Sequence, residues 1–125
     1  FPGQQGRRNR PCEGVEGDDF VAATRRAAAA GVDWLELHCA HGYLLSAIIC
    51  PLTNRRDDDY GGAPENRVRM MREVLERLIE VWGADRVSIR LSPNGVSQGC
   101  DDPDPASIFG PAAQVLQDLG VSFVE

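Results

Sequence analysis

The sequence has no apolar run that approaches the roughly 18 residues of a membrane-spanning helix, and its first residues lack the apolar core of a secretory signal. We therefore expect no membrane partner and a cytoplasmic location. Basic residues are also few, because 13 Lys and Arg face 19 Asp and Glu, a net charge of −6. A surface of this sign repels nucleic acid, so nucleic acid is not an expected partner.

Metal-binding cysteine patterns are missing too. The four cysteines, Cys12, Cys39, Cys50 and Cys100, form no C-x-x-C pair, which is the usual local spacing of zinc or iron–sulfur ligands. We predict free thiols; a disulfide framework is the less favoured alternative. The composition, 42% hydrophobic and 26% charged, is typical of an ordinary α/β chain with one modest core.

Residues 1–17 contain four glycines, two prolines and a basic cluster, with no apolar period. This composition predicts a flexible N-terminal arm. Residues 18–125 are predicted to form one domain. It opens with a helix that Asp18 or Asp19 caps and Gly31 ends.

Two segments alternate as strands do. In residues 33–38, Leu35 and Leu37 share one face while Glu36 and His38 share the other, and residues 86–93 repeat the pattern with Arg90 on the polar face. A third strand is predicted at 121–124. Between the strands, one helix begins at Pro64 and ends at Gly83, and another has its ordered part from Pro111 to Gly120.

Strands separated by helices predict parallel βαβ units of an α/β fold. A doubly wound sheet needs strands that are apolar on both faces, whereas a barrel tolerates polar side chains on its inner face. The polar faces at Glu36/His38 and Ser88/Arg90 favour the barrel. We predict a partial (β/α)8 TIM barrel with about three parallel strands, and with His38 and Arg90 near the carboxyl ends of two of them.

Four short motifs occur in a fixed order and spacing. They are His38-Cys39-Ala40-His41-Gly42-Tyr43-Leu44-Leu45, Asn54-x-Arg56-x-Asp58-x-Tyr60-Gly61-Gly62, Glu65-Asn66-Arg67 and Ile89-Arg90-Leu91-Ser92-Pro93. Together they resemble the old yellow enzyme family of FMN-dependent ene-reductases. The resemblance extends from the helix at Phe20 to the end of the sequence.

The resemblance implies an enzyme in which NAD(P)H reduces FMN, and reduced FMN passes a hydride to an α,β-unsaturated carbonyl compound. His38 and His41 are implied to bind the substrate carbonyl oxygen, and Tyr43 to donate the proton. Arg90, together with His38, is implied to contact the flavin, where a permanent cation offsets negative charge. The Asn54–Gly62 segment is interpreted as mainly architectural.

Each implied role has an alternative. His38 and His41 have the spacing of a metal pair and, with Asp57, Asp58 and Asp59, would suit a metal-dependent barrel hydrolase. The resemblance explains the same residues with fewer assumptions, so we predict no metal. The hydroxyl of Tyr43 could instead anchor its loop, and Arg90 could pair with the inward-facing Glu36.

Length is the largest departure from the family. A complete barrel takes about 250 residues, so we expect an internal piece of one, without the family's other flavin contacts. The second hypothesis is therefore a truncated barrel fragment without catalysis of its own. Such a piece has unpaired strand edges, which favour association into homo-oligomers.

Overall fold

The computed structural model describes residues 15–125, with side chains from residue 18 onward. The predicted arm therefore lies mostly outside the described residues, although its last three residues are helical, because the first helix begins at Val15. The helices are α1 (Val15–Ala29), α2 (Leu44–Ile49), α3 (Pro64–Arg67), α4 (Arg69–Trp82) and α5 (Ala106–Leu119), the strands are β1 (Leu35–Cys39) and β2 (Val87–Leu91), and short 3-10 turns span Ala84–Arg86 and Ser97–Gly99.

The two strands pair in parallel, and the register places His38 beside Arg90 and Cys39 beside Leu91. The predicted third strand lies on the other side of β2. Its backbone donates from Ser122 to Val87 O at 3.0 Å and from Glu125 to Ile89 O at 3.0 Å, although it is assigned as a single bridge rather than a full strand. The prediction of parallel βαβ units is confirmed.

The apolar face of the sheet packs against the helices. Leu37, Cys39, Val87 and Ile89 are all at most 3% exposed. Their partners are the apolar stripe of α4 and one face of α5, whose buried members are Met71, Val74, Leu75, Leu78, Ile108, Ala112, Val115 and Leu116. Since burying one such side chain contributes about 1.5–3 kcal/mol, this layer is the main source of stability.

The opposite face of the sheet is polar and open, with Glu36 and His38 both exposed. Ser88 is the exception, because Trp34 covers it and donates its indole N–H to Ser88 Oγ at 3.1 Å. The Ser88 hydroxyl in turn donates to the carbonyl of Leu35 at 3.3 Å. The polar inner face that the alternation predicted is therefore present.

Two predicted helix starts were wrong. The first helix begins at Val15 rather than after a cap at Asp18 or Asp19, because helical backbone extends one turn further toward the N-terminus. Pro111 lies inside α5, five residues after its start at Ala106. A proline this close to the N-terminus of a helix removes only one helical hydrogen bond. In addition, Gly110 before it has no Cβ to clash with the proline ring. The helix predicted from Pro64 to Gly83 has both predicted ends, but it is divided at Val68 into α3 and α4.

The Asn54–Gly62 loop, residues 54–62, is held together by its own side chains. Asn54 donates its amide to Ile48 O at 2.6 Å and Tyr60 O at 2.7 Å, and accepts from the backbone of Arg56 at 3.0 Å. Gly61 is packed so closely that a Cβ there would lie 2.1 Å from Arg56 O. The structure thus gives this motif the architectural role that was predicted.

Candidate active site

His38 and Arg90 occupy neighbouring positions on the exposed face of the sheet. Each is the fourth of the five residues of its strand, and the parallel register makes them partners. Parallel strands present their carboxyl ends at one rim, which is where barrel enzymes bind substrates. The two residues therefore begin a polar cluster at that rim.

A tight turn brings two more predicted residues to His38. We call residues 40–43 the His41 turn; the Tyr43 backbone donates to Ala40 O at 3.2 Å and closes it. His41 and Gly42 both adopt left-handed conformations, with φ of 56° and 77°. As a result, the centroid of the His38 ring lies 6.0 Å from that of His41 and 5.4 Å from that of Tyr43.

Successive backbone donors of the turn are bound by two serines. The His41 N–H donates to Ser92 Oγ at 2.8 Å, and the Gly42 N–H donates to Ser46 Oγ at 3.1 Å. Gly42 also tolerates no side chain, because a Cβ would lie 2.6 Å from the Cβ of Gln98. Sequence reasoning missed both serines; the only signal was that Ser92 belongs to the same short motif as Arg90.

The polar side chains beside the turn are left available. Across residues 18–125, no hydrogen bond involves the ring nitrogens of His38 or His41 or the hydroxyl of Tyr43, and Tyr43 is 59% exposed. The alternative in which Tyr43 anchors its loop through the hydroxyl therefore finds no partner in this part of the chain. Three donor groups converge on the same open face.

Arg90 pairs with Glu125 rather than with Glu36, so the alternative partner suggested by the sequence was wrong. Arg90 Nη2 lies 3.1 Å from Glu125 Oε1, and the side chains are 42% and 53% exposed. An ion pair this open contributes about 0–1 kcal/mol. The guanidinium is consequently accessible to a ligand on the polar face.

Cys39 follows His38 but points into the core. It is 1% exposed, and burial raises the pKa of its thiol to about 12. At neutral pH it is an inert packing residue. Cys39, Cys50 and Cys100 are free thiols as predicted, and Cys12 lies outside the described residues.

The metal alternative has no ligand cluster to support it. Among the described residues, no three His, Cys, Asp or Glu side chains converge to hold a metal ion. Asp58 is instead engaged by Arg56, whose Nε donates to its carboxylate at 2.9 Å and lowers the pKa of that carboxyl.

None of the helices between residues 15 and 125 has the length and apolar character to cross a membrane.

The family model of the NADH:flavin oxidoreductase / NADH oxidase family matches residues 16–124. The chain belongs to this family. The resemblance to old yellow enzymes is thereby confirmed, and the matched residues include His38, His41, Tyr43 and Arg90. The relatives described next are oxidoreductases by name.

Among curated relatives, enoate reductase 1 of Kluyveromyces lactis is 41% identical over 123 residues, which cover 90% of this chain and 30% of that protein. Putative 12-oxophytodienoate reductase 4 of Oryza sativa subsp. japonica is 46% identical over 99 residues, 79% of this chain and 26% of that protein. The chain thus spans about 30% or less of the length of these relatives.

Solved structures agree. The old yellow enzyme homologue from Zymomonas mobilis superposes with a TM-score of 0.85 at 46% identity, covering 87% of this chain and 31% of that one. Morphinone reductase in complex with tetrahydroNAD gives a TM-score of 0.84 at 37% identity over 87% of this chain and 30% of that one. The predicted fold, part of a (β/α)8 barrel, is confirmed.

Proposed function

We propose that the protein is an FMN-dependent NAD(P)H oxidoreductase of the ene-reductase type, acting on α,β-unsaturated carbonyl compounds. The observation that carries the proposal is that the rings of His41 and Tyr43 lie 6.0 Å and 5.4 Å, centroid to centroid, from the ring of His38, which is beside Arg90 on an open face. The names of the relatives, which include enoate and 12-oxophytodienoate reductases, support the substrate class.

The donor set fits FMN. The edge of a flavin ring presents carbonyl oxygens, and its reduced form carries negative charge, so it requires hydrogen-bond donors and a permanent cation. Arg90 supplies the cation from a side chain that is 42% exposed, and His38 lies beside it in the register. Arg90, with His38, would therefore hold the flavin, which supplies a hydride for the alkene when bound.

His38 and His41 are proposed to bind the carbonyl oxygen of the substrate. Addition of a hydride at the β-carbon builds negative charge on that oxygen, and fixed donors stabilise developing charge better than mobile water does. Both rings have their nitrogens available, and the turn fixes their separation. Binding by two donors also orients the alkene for addition.

Tyr43 is proposed as the general acid. The centroid of its ring lies 5.4 Å from that of His38, and the residue is the N-cap position of α2, so its backbone is held while its side chain stays exposed. A proton delivered to the α-carbon completes reduction of the double bond. General acids of this kind typically contribute about 10²–10⁴-fold in rate.

Titration with FMN tests the first part of the proposal. The purified chain is titrated while flavin absorbance and fluorescence are followed, and its mass in solution is measured by light scattering. Binding of one flavin per chain is expected, and Arg90→Ala should weaken it. Absence of binding would contradict the proposal for this chain and favour the alternative of a barrel fragment without catalysis.

The two tyrosines provide a matched test of the chemistry. In the FMN-loaded protein, Tyr43→Phe should lower turnover of a conjugated enone by about 100-fold. NADPH-driven loss of flavin absorbance should be unchanged, because the hydroxyl acts only on the enone. Tyr60→Phe is the control, since the Tyr60 hydroxyl donates to Glu73 of α4 and not to a residue near His38. An equal loss in both variants would contradict the role of Tyr43.

A further inference from the structure

We propose that Ser92 is a positioning residue for His41, assisted by Ser46 and Asp102 beneath the turn. The inference rests on the proposed function, because positioning matters only if His41 binds the substrate. The first observation behind it is a pair of hydrogen bonds made by successive backbone N–H groups of the His41 turn. The His41 N–H donates to Ser92 at 2.8 Å, and the Gly42 N–H donates to Ser46 at 3.1 Å.

The conformation of His41 is costly and must be held. A side-chain-bearing residue with φ of 56° is strained by about 1–2 kcal/mol, and this φ determines the direction of the imidazole. In an extended conformation the ring would leave His38. The N–H bond to Ser92 ties this residue to the chain that follows β2, 51 positions away in the sequence.

The position of Ser92 also links the two halves of the site. Cys39 and Leu91 are register partners at the ends of their strands, so Ser92 emerges beside Ala40 and reaches the turn directly. Arg90, on β2, precedes Ser92 by two residues. The hydrogen bond therefore fixes the substrate-binding His41 relative to the strand that carries the proposed flavin contact.

Asp102 completes the arrangement from below. A small cavity of about 10 Å³ is lined by Ser46, Ser92 and Asp102, among others, and Oδ2 of Asp102 is buried without a hydrogen-bond partner among the described residues. A serine oxygen that accepts an N–H still has its own proton to donate. A cavity of this size holds one water molecule, which would carry that proton to the carboxylate. Asp102 would then keep the serine lone pairs directed at the turn.

The test compares Ser92→Ala with Ser92→Thr, which keeps the hydroxyl, and with Ser107→Ala as control. Ser107 donates to Asp104 O at the start of α5, away from the turn. In Ser92→Ala, hydrogen exchange of the His41 amide should be about tenfold faster, in line with the loss of one hydrogen bond. Ser92→Thr should restore wild-type exchange. Asp102→Asn should give a smaller change in the same direction.

Kinetics of the FMN-loaded protein give the second readout. Because His41 is proposed to stabilise charge that develops during the reaction, Ser92→Ala should lower kcat for the enone about tenfold and leave KM within about twofold. If Ser92 only stabilised the fold, Ser92→Ala would lower the folded fraction. It would not lower kcat separately from KM, and threonine would not restore the activity. The Ser107→Ala control should match the wild type in both readouts.

Three results would overturn the inference. They are unchanged His41 exchange in Ser92→Ala, failure of threonine to rescue, and a His41 amide that exchanges freely in the wild type. The last measurement decides the question even if Ser92→Ala does not fold. If the wild type exchanges slowly at His41 but reduces no enone, the positioning of the turn stands as geometry while the proposed function fails.

Discussion

Two polar segments of this chain use their side chains in opposite ways. In the Asn54–Gly62 loop, Asn54 uses both ends of its amide on backbone groups, two of them in its own loop and one, the carbonyl of Ile48, in α2. In the His41 turn the polar side chains point outward, and the backbone is instead held by Ser46 and Ser92 from elsewhere. Similar residue types thus build a scaffold in one segment and remain available for a ligand in the other.

The difference gives a criterion for function that motif content alone does not. A polar side chain whose hydrogen bonds are all made to the backbone of the chain stabilises the local structure, since a buried backbone group left unpaired costs about 1–3 kcal/mol. A polar side chain whose backbone is fixed by others is pre-organised for a partner. His38, His41 and Tyr43 meet the second description, and Asn54 meets the first.

The largest expected effect comes from ionisation of the Cys39 thiol, which is buried beneath the site. Burial raises the pKa of the Cys39 thiol from 9.0 to about 12, so the folded state favours the neutral thiol. The associated stability is fully present below pH 9 and is lost as the pH rises toward 12, by up to about 4 kcal/mol. Urea unfolding at intervals between pH 8 and 12 should show this decline.

Cys39→Ala is the control for that measurement, because it removes the thiol and leaves the other titrating groups unchanged. The difference in unfolding free energy between wild type and variant should shrink as the pH rises. A difference that is independent of pH would mean that Cys39 ionises in the folded state, and that the layer beneath His38 is wetter than the structure indicates.

Gly61→Ala should produce the next largest effect. Its Cβ would lie 2.1 Å from the carbonyl oxygen of Arg56, and backbone atoms cannot move aside as a side-chain tip can. We expect a loss of about 3 kcal/mol, measured by thermal unfolding. Gly62→Ala, where no atom lies within 4 Å of the new Cβ but φ is 71°, should cost about 1 kcal/mol of strain. Equal losses at the two positions would contradict the close packing at Gly61.

Removing one side chain from each segment compares them directly. Asn54→Ala should cost about 2 kcal/mol, because it deprives two carbonyls and one N–H of their partners. Tyr43→Ala should change stability by less than about 0.5 kcal/mol, since its side chain is 59% exposed. Chemical unfolding of both variants measures this. The distinction between the segments fails if Tyr43→Ala is the more damaging change.

Local patterns in the sequence predicted the placement of the site, whereas long-range contacts escaped them. Alternation with a period of two put His38 and Arg90 on one polar face, because a strand leaves no other choice. Two contacts escaped the local patterns: the hydrogen bond between His41 and Ser92, and the pairing of Arg90 with Glu125. Both depend on the register of the strands and on residues that are far apart in the sequence, which no local pattern encodes. Pro111 shows the converse: a strong local signal was overridden by burial of Ile108 before it and Ala112 after it.

The smallest effect should come from Asp58 at the surface of the Asn54–Gly62 loop. Arg56 lowers the pKa of this carboxyl, so its stabilising contribution is present above the ordinary value of 3.8 and is lost as the pH falls through the lowered pKa. Asp58→Asn should therefore differ from the wild type at pH 6 and converge with it near pH 2, in urea unfolding at low salt. Added salt should reduce the difference, because exposed charges are screened.

Asp57→Asn is the matched control and should show neither trend. A difference that persists unchanged at pH 2 would mean that Asp58 acts through its hydrogen bond from the Tyr60 backbone, at 3.1 Å, rather than through charge. In that case the loop is held by hydrogen bonds to its backbone rather than by charge. The contrast with the candidate site, where the three ring side chains make no such bonds within residues 18–125, would then be sharper.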